Sequence, residues 1–492
     1  MIRLDPINGF IGFLLIIVVC FAYLGVGSTR GTDQFWYLSD TETLLSDGGN
    51  HSNLTMPGVV LRQNNGTPST PFYHNGPLLY INAYASKITG VTPFTVWKIN
   101  NFIFSLIAAL LIALMVAQVT SRQTGFYALA IYVLSPLNVW LTVNLLQETF
   151  YAFLFAIQLY VTTRNRQTYI GLIVLLISLV VGAYSHPFFK IIMLTVGVIF
   201  VVQKRQTIAL GVFICFALVV VTEKLFFPTS FPPDLKSLIA YSVPGKSNSL
   251  WHQSDFILSV TPDLLYRKVV RAVTIQFSDY SIPVLSMFTY FSIPAFCLLV
   301  LKKFTSITKI LWLSFIAFTL YLGIVVLMQY QVRYQQIIAP SSISLVMLSM
   351  FICFKKNVGK LMLFLALVCS VVDIKLVATA GADASSFASS GQRFAELIER
   401  YPDNFRIVFV DNKELGSYQY LVRTLKPRQV MVLGVDWLSE NSRKRSIDLF
   451  QPDLLFYSES ALDTLKLEGD KLQEFSTFHK VGKLYYEVLT GN

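Results

Sequence analysis

Eleven apolar runs recur along the first three quarters of the chain, near residues 9–27, 97–119, 124–141, 146–162, 169–184, 188–202, 207–224, 283–301, 310–328, 336–354 and 361–379. A helix rising 1.5 Å per residue needs about 20 apolar residues to cross ~30 Å of hydrocarbon. Backbone inside a bilayer must also satisfy its own hydrogen bonds, which leaves helices as the spanning element for runs of this kind. The runs therefore predict an α-helical polytopic membrane protein with about 11 transmembrane helices. Charged residues make up 14% of the 492, well short of the ~25% that covers a soluble domain. The first run follows Arg3 and reads as a retained anchor, because an odd number of spans needs it.

The net charge of +11 would suit a nucleic-acid surface, but its distribution points elsewhere. With the N-terminus inside, the even-to-odd connections are 120–124, 163–168, 203–206, 302–309 and 355–360. They hold Arg122; Arg164 and Arg166; Lys204 and Arg205; Lys302, Lys303 and Lys309; and Lys355, Lys356 and Lys360, with no Asp or Glu among them. Cations confined to short turns on one side are the positive-inside pattern. It places the N-terminus in the cytoplasm and the C-terminus outside, and no nucleic-acid partner is expected. All five cysteines (Cys20, Cys215, Cys297, Cys353, Cys369) fall in apolar runs, so the exterior parts use no disulfides.

Three exterior segments are too long to be turns. Residues 28–95 form a first outer loop mixing Gly, Asn, Thr and Pro with Asp, Trp, Tyr and His. Residues 225–282 form a second, whose alternating aromatic and basic residues (Trp251, Tyr266, Arg267, Arg271) suit a helix lying in the membrane interface. Residues 380–492 change character. FRIVFVD (405–411), QVMVLGV (429–435), DLLFYSES (453–460) and KLYYEVL (483–489) read as short strands, with helical stretches at 391–401 and 437–449. The expected organisation is a transmembrane domain over 1–379 and an extracytoplasmic α/β domain over 380–492.

Ionisable groups beside apolar spans cost ~2.5–3.5 kcal/mol on insertion scales, so each needs a reason. Asp33 in GTDQFWYLSD follows the first span, flanked by Trp36 and Tyr37; it suits a general base, and ordinary loop acidity is the competing reading. His74 precedes Pro77 in HNGPLLY, where proline simply starts a helix. Glu148 heads the fourth span, with Asn144 a turn earlier on the same face. Arg333 stands in the outer turn QYQVRYQQIIAP, and its planar fork suits a phosphate. His186 and Lys190 lie in YSHPFFK, at the junction of spans five and six. Snorkelling side chains and headgroup contacts would account for each one singly. All, however, fall on the outer membrane face, where one site could receive a lipid phosphate and an exterior acceptor together.

In this order the motifs resemble the polyprenyl-phosphate-dependent glycosyltransferases of the GT-C fold, in the protein O-mannosyltransferase and aminoarabinose-transferase group. The likeness rests on GTDQFWY with Asp33, on HNGPLLY followed by ITG, on LSP followed by QETF with Glu148, and on RYQQIIAP with Arg333 and Tyr334. It spans about residues 1–355. Asn75-Gly76 replaces a family proline, and Glu148 stands where many relatives have Asp. The resemblance implies a polyprenyl-phosphate-linked sugar as donor and an extracytoplasmic glycan, lipid or protein as acceptor, at a bacterial inner (plasma) membrane, with membrane lipids as surroundings. It implies Asp33 as the base of a single inverting displacement, with Glu148 a second polar anchor beside it. Arg333 with Lys190 would hold the leaving phosphate, and Tyr37, His74 and Tyr334 would shape the pocket. No metal site is evident, though Asp33 and Glu148 leave a divalent cation open. The rival readings are a flippase of lipid-linked sugars, which would show internal repeats, and an O-antigen-type polymerase, which carries its main outer loop late.

Overall fold

The computed structural model describes residues 6–23, 32–46, 54–55, 60, 76–164, 168–226, 263, 266, 270, 281–301, 308–327, 332–354, 357–411, 428–435, 440–467, 479–481 and 484–489. Each of the eleven apolar runs lies on a helix or a broken pair. They are α1 (Pro6–Val18, continued by a π turn over Val19–Tyr23), α4 (Pro93–Val119), the pair α5 (Arg122–Val133) and α6 (Pro136–Val143), and α7 (Glu148–Thr163). There follow α8 (Tyr169–Ser185), α9 (Pro187–Val202), α10 (Gln206–Phe226), α11 (Ser281–Leu301), α12 (Thr308–Leu327), α13 (Gln335–Phe354) and α14 (Val358–Ile398). In the first outer loop, α2 covers Thr32–Ser46, a short strand β1 covers Leu54–Thr55, and α3 covers Gly76–Thr89.

Among the described residues five helices are long and apolar enough to cross a membrane, and six if the pair α5–α6, bent by 47°, is one span. Pro6–Phe21, α8, α9 and Lys309–Gly323 are apolar but shorter. The bend follows from Pro136 at the first position of α6, where its missing N–H and its ring end the helix before it. Large apolar side chains point outward at helical spacing, such as Leu110 and Leu114 on α4, Ile173 and Ile177 on α8, and Leu210, Ile214 and Leu218 on α10. A soluble surface does not present such continuous apolar faces; a lipid-facing one does. The protein is embedded in a membrane.

The centre of the bundle is α13, which packs on α4, α5, α7, α11 and α12. Every residue from Gln335 to Met350 is buried, Ser341, Ser342, Ser344 and Ser349 among them. Small residues let helix backbones approach closely where lipid gives no hydrophobic drive for association. Ser344 Oγ and Ser349 Oγ donate back to the carbonyls of Pro340 and Leu345, so their hydroxyls stay satisfied inside the helix.

Beyond the bundle the chain builds a six-stranded sheet in the order β1-β3-β2-β4-β6-β5. Its strands are β2 (Ile407–Asp411), β3 (Val430–Gly434), β4 (Leu454–Ser458), β5 (His479–Val481) and β6 (Leu484–Val488), with helices α15 (Glu440–Phe450) and α16 (Glu459–Leu467). The pairs of β1 with β3, β3 with β2 and β2 with β4 are parallel, while β6 and β5 run antiparallel. Alternation along the strands splits the apolar side chains between two faces. Ile407, Phe409, Val430, Val432, Leu454 and Phe456 join the apolar cluster that runs through the helices. Val408, Val410, Met431, Leu433, Leu455 and Tyr457 form a second cluster with Phe450 and Leu462.

Three sequence expectations read differently in the structure. The boundary drawn at 379/380 falls within a single helix, since α14 runs without a break from Val358 to Ile398. The sheet also takes its edge strand from the first outer loop, through Leu54 paired with Val430 and Thr55 with Met431. Asn144 and Glu148 do not share a helix face, because α6 stops at Val143 and α7 begins at Glu148. The interfacial helix expected within 225–282 lies almost wholly outside the described residues.

Candidate active site

The site begins at the break between α6 and α7. Asn144 caps α6 through its N–H to the carbonyl of Trp140. Leu145 then adopts φ of 53°, the left-handed region, which costs a non-glycine residue about 1–3 kcal/mol. Two hydrogen bonds and burial hold this turn: Leu146 N–H donates to the Leu141 carbonyl, Asn101 Nδ2 of α4 donates to the Leu146 carbonyl at 3.2 Å, and Leu145 is 1% exposed. The result puts Glu148, wholly buried, at the first position of α7.

Arg333 comes from a distant part of the sequence, on a 3₁₀ turn (Val332–Tyr334) that leads into α13. Its Nε lies 3.2 Å from Glu148 Oε1, with the arginine side chain 16% exposed. A buried carboxylate needs a partner, and Arg333 supplies it at the rim of the bundle. The guanidinium carbon also sits 5.3 Å from the ring centre of Tyr334.

From Tyr334 a chain of rings leads inward. Tyr334 faces His186 at 6.4 Å between centroids, and His186 faces Tyr151 at 5.4 Å. Tyr151 stands one turn after Glu148 on α7, and its hydroxyl donates to the Ser185 carbonyl at 3.1 Å. His186 joins α8 to α9 and caps α9 by accepting from Phe188 N–H through Nδ1. Burial, followed by the charges of Arg333 and Lys190, lowers its pKa from the usual 6.5 to about 4. The imidazole is thus neutral at physiological pH, with its proton on Nε2. Lys190, one turn further along α9, is ion-paired with Glu223 near the end of α10.

The first outer loop is attached by α2 and α3. Gly76 opens α3 with φ of +44°, and a Cβ there would lie 3.0 Å from the carbonyl oxygen of Tyr184, so glycine admits this close approach beside Ser185 and His186. On α2, Tyr37 is 3% exposed and stacks on Trp97 of α4 at 5.4 Å, while Trp97 Nε1 donates to Thr41 Oγ1 at 3.0 Å. Asp40 is fully buried on the same helix. Asp33 is the second residue of α2, its side chain outside the described residues, as His74 is altogether.

The structure therefore brings Glu148, Arg333, Tyr334, His186 and Lys190 together and gives Tyr37 a packing position between α2 and α4. Sequence reading missed Tyr151 and Glu223 as parts of this region. Glu223 carried a visible signal: it is a lone acid at the C-terminal end of an apolar run, as Lys190 is a lone base at the start of the one before. Among the described residues no three His, Cys, Asp or Glu side chains gather as a metal site. Glu148 faces the guanidinium of Arg333.

No protein-family model matches the sequence, and no curated protein matches it. Solved structures do match. ArnT from Cupriavidus metallidurans in the apo state superposes with a TM-score of 0.59 at 10% identity, covering 98% of each chain. ArnT bound to undecaprenyl phosphate gives 0.61 at 9% identity over 98% of this chain and 99% of that one. The Archaeoglobus fulgidus oligosaccharyltransferase, crystallised with Zn and sulfate, gives 0.54 at 11% identity over 91% of this chain and 68% of that one. The chain thus has the GT-C membrane fold, the fold expected from the motif resemblance.

Proposed function

We propose that this protein is a membrane glycosyltransferase that moves a sugar from a polyprenyl-phosphate donor to an extracytoplasmic acceptor. The observation that carries the reading is the meeting of Glu148, Arg333, Tyr334, His186 and Lys190 at one rim of a GT-C bundle. A neighbour with this fold was solved with undecaprenyl phosphate bound, over nearly the whole length of both chains. In this reading the protein sits in a bacterial plasma membrane with its N-terminus in the cytoplasm and its sheet outside.

The chemistry follows from the charges. An acceptor hydroxyl attacks the anomeric carbon, the bond from that carbon to the phosphate oxygen breaks, and the configuration inverts. Asp33 takes the hydroxyl proton. The leaving polyprenyl phosphate gains negative charge as the bond breaks, and a preformed cation stabilises that charge without reorganising. Arg333 is preformed because Glu148 fixes its orientation; Lys190 approaches from α9. A neutral His186 offers an Nε2–H donor without competing as a third cation.

Binding of undecaprenyl phosphate to the full-length protein in nanodiscs tests this assignment. Arg333→Gln and Lys190→Gln are each expected to weaken it by about 10-fold or more, the ~1.5–3 kcal/mol of a charge-assisted hydrogen bond. Affinity equal to wild type in both variants would remove the phosphate site from this rim.

A further inference from the structure

The sheet is not built from the C-terminal segment alone. Its edge strand β1 comes from the first outer loop, in parallel register with β3. Five residues past β1, Val60 of the same loop is fully buried among Val408, Val410, Met431, Leu433 and Leu455 on one face of the sheet. A two-residue strand has no stability of its own and pairs only where a formed sheet receives it. Val60 adds a side chain in a closed apolar core, so the loop is docked by two independent contacts.

The other end of the loop is equally fixed. β1 packs against α2, and α2 packs against α3 and α4. The Tyr37–Trp97 stack and the Trp97–Thr41 hydrogen bond lock α2 to the bundle. The sheet itself rises from the bundle on α14, an unbroken helix of 41 residues, and a continuous helix transmits position where a loop would not. The segment that begins at Asp33 is therefore held from below by α4 and from its far side by the sheet.

We propose that the C-terminal α/β unit is a positioning clamp for the first outer loop, with β1 and Val60 as its contacts and the placement of α2 as its product. The inference rests on Asp33 as the acceptor base. It assigns the C-terminal unit to the loop that carries the base. Val60 is a positioning residue: it touches no substrate, and its loss lowers turnover while leaving lipid-phosphate affinity intact.

Full-length protein in nanodiscs tests this in two steps. Neighbouring strands lie about 4.8 Å apart, within the Cα separation a disulfide accepts, so Thr55→Cys with Met431→Cys should close a disulfide on oxidation, read by mass after alkylation. Failure to close overturns the pairing whatever the activity. Val60→Asp places a carboxylate in the core and is expected to cut turnover about 10-fold or more, the scale of a misplaced catalytic group, with undecaprenyl phosphate affinity unchanged. Adding the oxidised Thr55–Met431 cysteine pair to Val60→Asp should restore turnover, and reduction should abolish it again. Wild-type turnover in Val60→Asp, lost lipid-phosphate binding in that variant, or no rescue on oxidation each overturns the clamp. Absence of any sugar transfer by the wild type would instead defeat the functional reading, and the disulfide would still decide the pairing.

Discussion

Glu148 and Arg333 lie 185 positions apart and depend on each other. Removing the cation while the carboxylate stays wholly buried leaves an uncompensated charge, which costs about 3–5 kcal/mol. Arg333→Met should therefore lower the melting temperature in detergent sharply, and Glu148→Gln added to it should recover most of the loss. A single variant as stable as wild type would contradict the pair. His186 makes a prediction of the opposite kind. Its pKa is about 4 in the folded protein against 6.5 unfolded, so between those values the unfolded chain binds more protons. Stability is then full above pH 6.5 and declines as pH falls toward 4; His186→Asn should flatten that part of the profile in thermal melts from pH 4 to 8. Glu148, Arg333 and Lys190 were legible in the sequence because a lone charge in apolar surroundings stands out. Their partners were not: which acid meets which base is decided by the packing order of the helices, and that order leaves no mark on local sequence.

Helices were the easiest elements to read, since apolar runs of membrane length leave few alternatives, but 124–141 read as one continuous run, and the α5–α6 bend at Pro136 emerged only in the structure. The α6–α7 break was hidden, because leucine in a left-handed conformation is imposed by packing and not by the residue. A second feature passed unnoticed in the last apolar run. Asp373 of α14 is 1% exposed, and neither carboxylate oxygen has a hydrogen-bond partner among the described residues. An unsatisfied buried group of this kind costs about 1–3 kcal/mol, and α14 packs on α1, its π turn and α6. Asp373→Leu keeps the branched four-atom skeleton and removes the polar group, so the variant should melt higher than wild type in the same detergent. A lower melting temperature would show that Asp373 stabilises the bundle through a contact of its own.

At the scale of the whole molecule, the four longer strands of the sheet and helix α15 lie where the periodicity of residues 405–489 put them. The junction with the bundle does not. A boundary looked natural at 379, where apolar character fades, yet α14 continues because nothing in ATAGADASSFASSGQRFAEL forces a helix to stop; neither proline nor a terminal capping turn intervenes. β1 was illegible for a simpler reason, since two residues carry no period. These joints tie the first outer loop, the bundle rim and the sheet into one structure around the proposed transfer site. The most direct test of that site uses the purified full-length protein in nanodiscs with a panel of radiolabelled polyprenyl-phosphate sugars and crude envelope acceptors, comparing wild type with Asp33→Asn. Donor consumption with sugar transfer by the wild type, lost in the variant, is the expected result. No turnover of any donor, with lipid-linked sugar moved between leaflets instead, would contradict the glycosyltransferase and make the protein a flippase.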